Sequence, residues 1–128
     1  MVDHILDGRR ANTTLAHLDI WSNDIGNAGA IAIGEALKSN TGLAHLSLRG
    51  GNIGEDGAVA IGEALKSNLA LEDLDLKGND IGIAGVSAIG EALKSNTVLS
   101  MLHVEASDRL QDALKDRQDA GKLRLSFS

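Results

Sequence analysis

Gly34-Glu35-Ala36-Leu37-Lys38-Ser39-Asn40 recurs unchanged at Gly62–Asn68 and at Gly90–Asn96, 28 residues apart each time. Upstream of each copy runs a second frame, opening at Leu15, Leu43 and Leu71 and again at Leu99. A fixed period of this length marks one supersecondary unit copied along the chain. A stack of such units presents a long, shaped surface, which suits binding better than catalysis.

The unit opening at Leu71 shows what is copied. Leu74 and Leu76 alternate with Asp73, Asp75 and Lys77, which is strand spacing. Gly78-Asn79-Asp80 breaks the strand. The period then changes: Val86, Ile89 and Leu93 fall on one face of a helix. Ser95-Asn96 closes it, with Asn expected in a left-handed terminal turn, and Glu91 is placed to pair weakly with Lys94. Each unit is therefore a short strand, a turn, a helix of about three turns and a tight return. Stacked strands lie about 4.8 Å apart, whereas helix axes need about 8–10 Å. The mismatch bends the stack, sheet inside and helices outside. Gly34, Gly62 and Gly90, with Ala32, Ala60 and Ala88, are expected to let the helices close up and flatten the curve.

The frame Leu-x-x-Leu-x-Leu-x-x-Asn-x-Ile, from Leu71 to Ile81, resembles the leucine-rich repeat signature. Its 28-residue length and Gly-Glu-Ala-Leu helix are similar to the ribonuclease-inhibitor subtype, which also occurs in NOD-like receptors and Ran GTPase-activating proteins. The resemblance spans roughly Asn12 to Ser107. It implies an α/β fold, a short right-handed β-α solenoid with a parallel sheet on the concave face and helices on the convex face. One fold of this kind serves many partners. The chain departs from the pattern at the signature asparagine. Asn23 and Asn79 hold it, but Gly51 replaces it in the second unit, with Asn52 one place late, and Ser107 replaces it in the fourth. Either Asn52 shifts to compensate or the Gly50-Gly51 turn is softer. The alternating cysteines of mammalian ribonuclease inhibitor are absent, since the chain has no cysteine.

We expect one domain over 1–128, divided into an N-terminal half-unit at 1–14, full repeats at 15–42, 43–70 and 71–98, and a fourth strand with a C-terminal cap at 99–128. Within the half-unit, His4–Ala11 gives the first strand thin cover, so its edge invites weak self-association. In the cap, Leu110, Ala113, Leu114 and Arg117 predict a helix ended by Gly121. Leu123, Leu125 and Phe127 then alternate with Arg124 and Ser126 as a last strand.

Composition narrows the function. Net charge is −6 and no Lys/Arg run occurs, which argues against nucleic acid and anionic membranes as partners. Aromatics make up 2% of the residues, Trp21 and Phe127, so the core must come from aliphatic layers. Lack of cysteine excludes disulfides and thiolate chemistry. The N-terminus has no apolar signal region and no run approaches a membrane span. Asn12-Thr13-Thr14 is therefore read as a chance sequon, and the chain as soluble and cytoplasmic.

Residues alternating with the core leucines should line the concave face in columns. The first holds His17, His45, Asp73 and Met101; the second Asp19, Ser47, Asp75 and His103; the third Trp21, Arg49, Lys77 and Glu105. These positions vary while the scaffold does not, as a retained scaffold with a released binding surface would show; neutral drift of exposed positions gives the same pattern. Trp21 and Arg49 are the expected anchors, although Trp21 could equally be a lid over the first strand. Around them His17, His45, Lys77, Asp73 and Asp75, with Asp19, His103 and Glu105, would tune specificity. His17 and His45 beside carboxylates have the donor chemistry for a divalent metal or a pH-sensitive patch, and equally that of a plain solvated face. No metal or other cofactor is assigned. Gly26-x-x-Gly29, Gly54-x-x-Gly57 and Gly82-x-x-Gly85 open helices as phosphate loops do, yet their threefold recurrence speaks for turn geometry. No nucleophile elbow or metalloprotease helix motif occurs. The expectation is a non-enzymatic protein–protein interaction module. Alternatives are a structural or self-assembling fragment of a larger receptor or engineered array and, with less support, a small-GTPase regulator.

Overall fold

The computed structural model describes residues 16–20, 24–105 and 123–126. Strand and helix alternate: β1 (His17–Asp19), α1 (Gly26–Leu37), β2 (His45–Ser47), α2 (Glu55–Leu65), β3 (Asp73–Asp75), α3 (Gly82–Ser95), β4 (Met101–His103) and β5 (Arg124–Ser126). The half-unit at 1–14, Trp21, Asn23, Ser107, the expected cap helix and Phe127 lie outside the described residues. The strands form one five-stranded sheet in chain order, each parallel to its neighbour. This is the short α/β solenoid that the 28-residue period predicts.

One row fixes the register. Leu18, Leu46, Leu74, Leu102 and Leu125 are partners across the sheet. A slip of one residue would turn the whole row to the opposite face. The three central leucines are buried, and Leu18 and Leu125 are partly buried against the same core. Further buried rows repeat at the same period: Leu43, Leu71 and Leu99; Leu48, Leu76 and Val104; Ile33, Ile61 and Ile89; Leu37, Leu65 and Leu93. Each such side chain contributes about 2 kcal/mol on burial, realised only when the next unit covers it.

Helix spacing is set by small residues. A Cβ at Gly34 would sit 2.9 Å from the Ala60 carbonyl oxygen, and one at Gly62 2.9 Å from the carbonyl carbon and Cβ of Ala88. These contacts are shorter than any side chain tolerates against backbone, so glycine is what allows adjacent helices to approach as they do.

The return from helix to strand corrects the sequence reading. Asn96 is extended (φ −80°, ψ 112°), and neither Asn40 nor Asn68 has a positive φ. The three asparagines are buried, and each Oδ1 accepts two backbone N–H groups just downstream. For Asn68 these come from Ala70 at 3.0 Å and Leu71 at 2.8 Å. Its Nδ2 donates to the carbonyls of Leu37 (2.8 Å) and Asn40 (3.1 Å) in the preceding unit. Asn96 repeats the pattern on Leu65 and Asn68. A ladder of side-chain amides thus joins the units at this corner, satisfying backbone groups that burial would otherwise orphan.

At the opposite corner, Asn79 fills the signature role. Its Nδ2 donates to Leu48, Leu76 and Lys77 carbonyls, and its Oδ1 accepts from Ile53 N–H at 2.9 Å. Gly51 is buried in the equivalent place, where a Cβ would lie 3.1 Å from both Ile25 Cδ1 and the Leu48 carbonyl oxygen. Asn52 does not shift inward to compensate. It is exposed, with φ 59°, and its Nδ2 donates to Asp24 Oδ1 at 3.1 Å.

Candidate functional site

Strand alternation sends the leucine row into the core, and the flanking residues to the inner sheet face. Cross-strand register pairs His17 with His45, His45 with Asp73, and Asp73 with Met101; in the second column Asp19 pairs with Ser47, Ser47 with Asp75, and Asp75 with His103. β5 extends the first column to Arg124, the register partner of Met101, and Arg124 is exposed. This cation was missed because the last strand was read as a cover. The signal was the Leu-Arg-Leu alternation, which matches that of the repeats once the strand is known to be parallel.

The columns meet at Asp73. One of its carboxylate oxygens lies 3.5 Å from His45 Nδ1 and the other 3.2 Å from His103 Nε2. The His17 and His45 rings are stacked, with centroids 5.6 Å apart and planes 29° apart. Asp75 holds the Lys77 backbone N–H at 3.0 Å, and its other oxygen is 4.0 Å from Arg49 Nη1, a loose pair at the rim. Together these residues line an open groove of about 510 Å³ that also takes in Asp19, Ser47, Gly50 and Gly78. Among the described residues, no group of three or more His, Cys, Asp or Glu side chains is arranged to hold a metal ion.

The third column does not survive intact. Lys77 is only 7% exposed. It sits in the turn after β3, beside Gly78 with φ 74°, where strand alternation no longer determines direction. It is thus removed from the set of accessible contact residues. Glu105 is exposed, and its Oε1 accepts the Gly78 N–H at 2.7 Å, bracing the neighbouring unit's turn. Arg49 stays accessible, its side chain 54% exposed. The intended anchor Trp21 lies outside the described residues.

The Gly-x-x-Gly openings act as turn geometry. Gly26 and Gly82 have positive φ (68° and 67°). None of the three described helices has a side-chain cap of its own; for α2 and α3 the preceding unit supplies one. Asn27 Oδ1 accepts from Gly54 N–H (2.8 Å) and Gly57 N–H (2.9 Å), and Glu55 Oε2 from Ala84 N–H (3.1 Å). At α2 and α3, amides that an anion would need are thus engaged by side chains of the preceding unit.

A leucine-rich repeat family model matches residues 11–34, 39–62 and 67–90. More than half of the chain is covered, and the chain belongs to the leucine-rich repeat family; the helical 28-residue unit fits the ribonuclease-inhibitor-like subtype. No curated protein matches the chain by sequence. Among solved structures, the actin-binding site 2 of leiomodin-1 superposes with a TM-score of 0.86 at 23% identity, covering 100% of this chain and 79% of that one. The tropomodulin C-terminal domain of Caenorhabditis elegans superposes with a TM-score of 0.61 at 14% identity, covering 93% and 94%. At these identities the likeness is one of fold. Among the described residues, no helix is long and apolar enough to cross a membrane.

Proposed function

We propose that the chain is a protein-recognition module that receives a protein partner on its inner sheet face. The observation that carries this reading is the asymmetry of each strand. One side spends a near-invariant leucine row on the core; the other displays a set that changes from unit to unit, from His17 and Asp19 to Met101 and His103. The family fold supports binding over catalysis, and the groove is open rather than a closed, water-excluding pocket. Arg49 is the accessible anchor, with His17, His45, His103, Asp19, Asp73 and Asp75 around it. Glu105 completes the proposed contact set, and Trp21 stays in it on the sequence reading alone. Five strands of three residues each make a small interface, so affinity should be modest.

The leiomodin fragment is described as an actin-binding site, which makes actin the first partner to try. Binding should fall at least tenfold in a Ser47→Trp variant, whose bulk fills the groove whatever the partner's charge, with an unchanged circular dichroism spectrum, and hold in Glu63→Lys on the outer helix face. The opposite pattern would place the contact on the helices. The near-identical units also support self-assembly, for which a monomer at every concentration in light scattering would count as refutation. Regulation of a small GTPase predicts stimulated GTP hydrolysis in a direct assay; absence of stimulation removes that reading.

A further inference from the structure

The inner-face reading can be taken one step further, to the chemistry of what binds. We propose that the partner presents a basic segment to this groove near neutral pH, and that protonation of the groove's histidines expels it. The groove gathers three carboxylates, Asp19, Asp73 and Asp75, against one guanidinium, Arg49. Interleaved with them are three imidazoles, His17, His45 and His103.

Imidazole is the side chain that ordinarily changes charge between pH 5 and 8. With the three rings neutral, the described lining residues carry two net negative charges; with all three protonated, they carry one net positive charge. The whole chain adds to the neutral-pH attraction, being at −6, and a concave face focuses that field.

Asp73 is the pivot. Neutral rings can each donate one N–H to its two oxygens, at 3.5 Å from His45 and 3.2 Å from His103, leaving the carboxylate charge to meet an incoming cation. Protonated rings neutralise that charge in place and repel the cation. The neighbours of each ring act in opposed directions: carboxylates favour the imidazolium, cations and a second ring oppose it. His45 faces His17 across β1–β2 and Asp73 across β2–β3. His103 is the register partner of Asp75, with Glu105 two residues further along its own chain segment, and Arg124 on β5 pairs with Met101 two residues before it. Lys77, buried beyond Asp75, is too enclosed to meet a partner.

A fluorescein-labelled peptide of glycine, serine and two arginines, with a two-glutamate counterpart, tests this by fluorescence anisotropy on the full chain. At low salt and pH 7.5 the arginine peptide should bind and the glutamate peptide should not. At pH 5.5 the arginine peptide should bind about tenfold more weakly, the effect of reversing a few exposed charge pairs. Asp73→Asn/Asp75→Asn should weaken binding at pH 7.5. Glu63→Gln/Glu91→Gln, the same charge change on the outer helices, should not. In His45→Gln/His103→Gln, whatever the affinity at pH 7.5, the ratio of affinities between pH 7.5 and pH 5.5 should fall close to one. The proposal is overturned if the glutamate peptide binds better, if binding is flat between the two pH values, or if the helix variant weakens it as much as the groove variant. Those results leave the inner-face reading standing if bulk at Ser47 still blocks a partner such as actin. A partner lost only through helix substitutions overturns the inner face itself.

Discussion

Asparagine carries more of this molecule than any charged residue. Asn68 makes four hydrogen bonds in a site only 2% exposed, two to its own downstream backbone and two to the preceding unit. Truncating it orphans buried amides and carbonyls on both sides of a unit boundary. Asn68→Ala should lower stability by about 3 kcal/mol, read as a fall in urea midpoint at constant slope. Asn52 looks similar in sequence, yet it is exposed, left-handed and bonded only to Asp24 among the contacts described. Asn52→Gly should therefore stay within about 0.5 kcal/mol of the parent. If the two variants were equally mild, the corner ladder would not hold the units together.

At the scale of elements, each helix depends on its neighbours for both approach and cap. In an isolated helix Gly62→Ala would add about 0.8 kcal/mol of stability. Here the new Cβ would meet the Ala88 backbone at 2.9 Å and Ile89 N at 3.0 Å, and the sign reverses to a loss of about 1–3 kcal/mol. Ser87→Ala, on the exposed side of α3, should be close to neutral, which separates packing from propensity in the same denaturation series. Asn27→Ala removes the cap that α1 lends to the start of α2 and should cost about 1 kcal/mol. Amide exchange should then quicken first at Gly54 and Gly57. The surface pairs Glu35–Lys38, Glu63–Lys66 and Glu91–Lys94 add little, being exposed. The hydrogen bond from Lys94, and then its charge, hold the Glu91 carboxyl below its ordinary pKa. That small contribution is present above the usual carboxylate range and lost as pH falls through it.

The whole molecule is a sum of units and interfaces. Because every core row is shared between neighbours, damage at the centre should be felt throughout so short a stack. Leu74→Ala, at 0% exposure, should cost about 3 kcal/mol. Hydrogen exchange should show the described strands losing protection together. Selective loss in β3 alone would mean that the units open independently. The same shared geometry creates the groove, since no single unit brings His17, Asp73 and His103 onto one face.

Period and alternation in the sequence were enough to determine the repeat, the parallel order of the strands, the rows of the core and the neighbours His17–His45–Asp73, because strand residues can only point to one face or the other. Where the backbone leaves regular structure, that rule lapses, and there the tertiary fold alone decided the outcome. It buried Lys77 in a turn, set Glu105 to brace Gly78, and made Asn68 and Asn96, extended rather than left-handed at Asn96, rungs between units. Arg124 joined the inner face only through the pairing of β5 with β4. The physical reason is common to all of these: a hydrogen bond or contact between one unit and the next depends on how the units sit on each other, which local spacing does not encode.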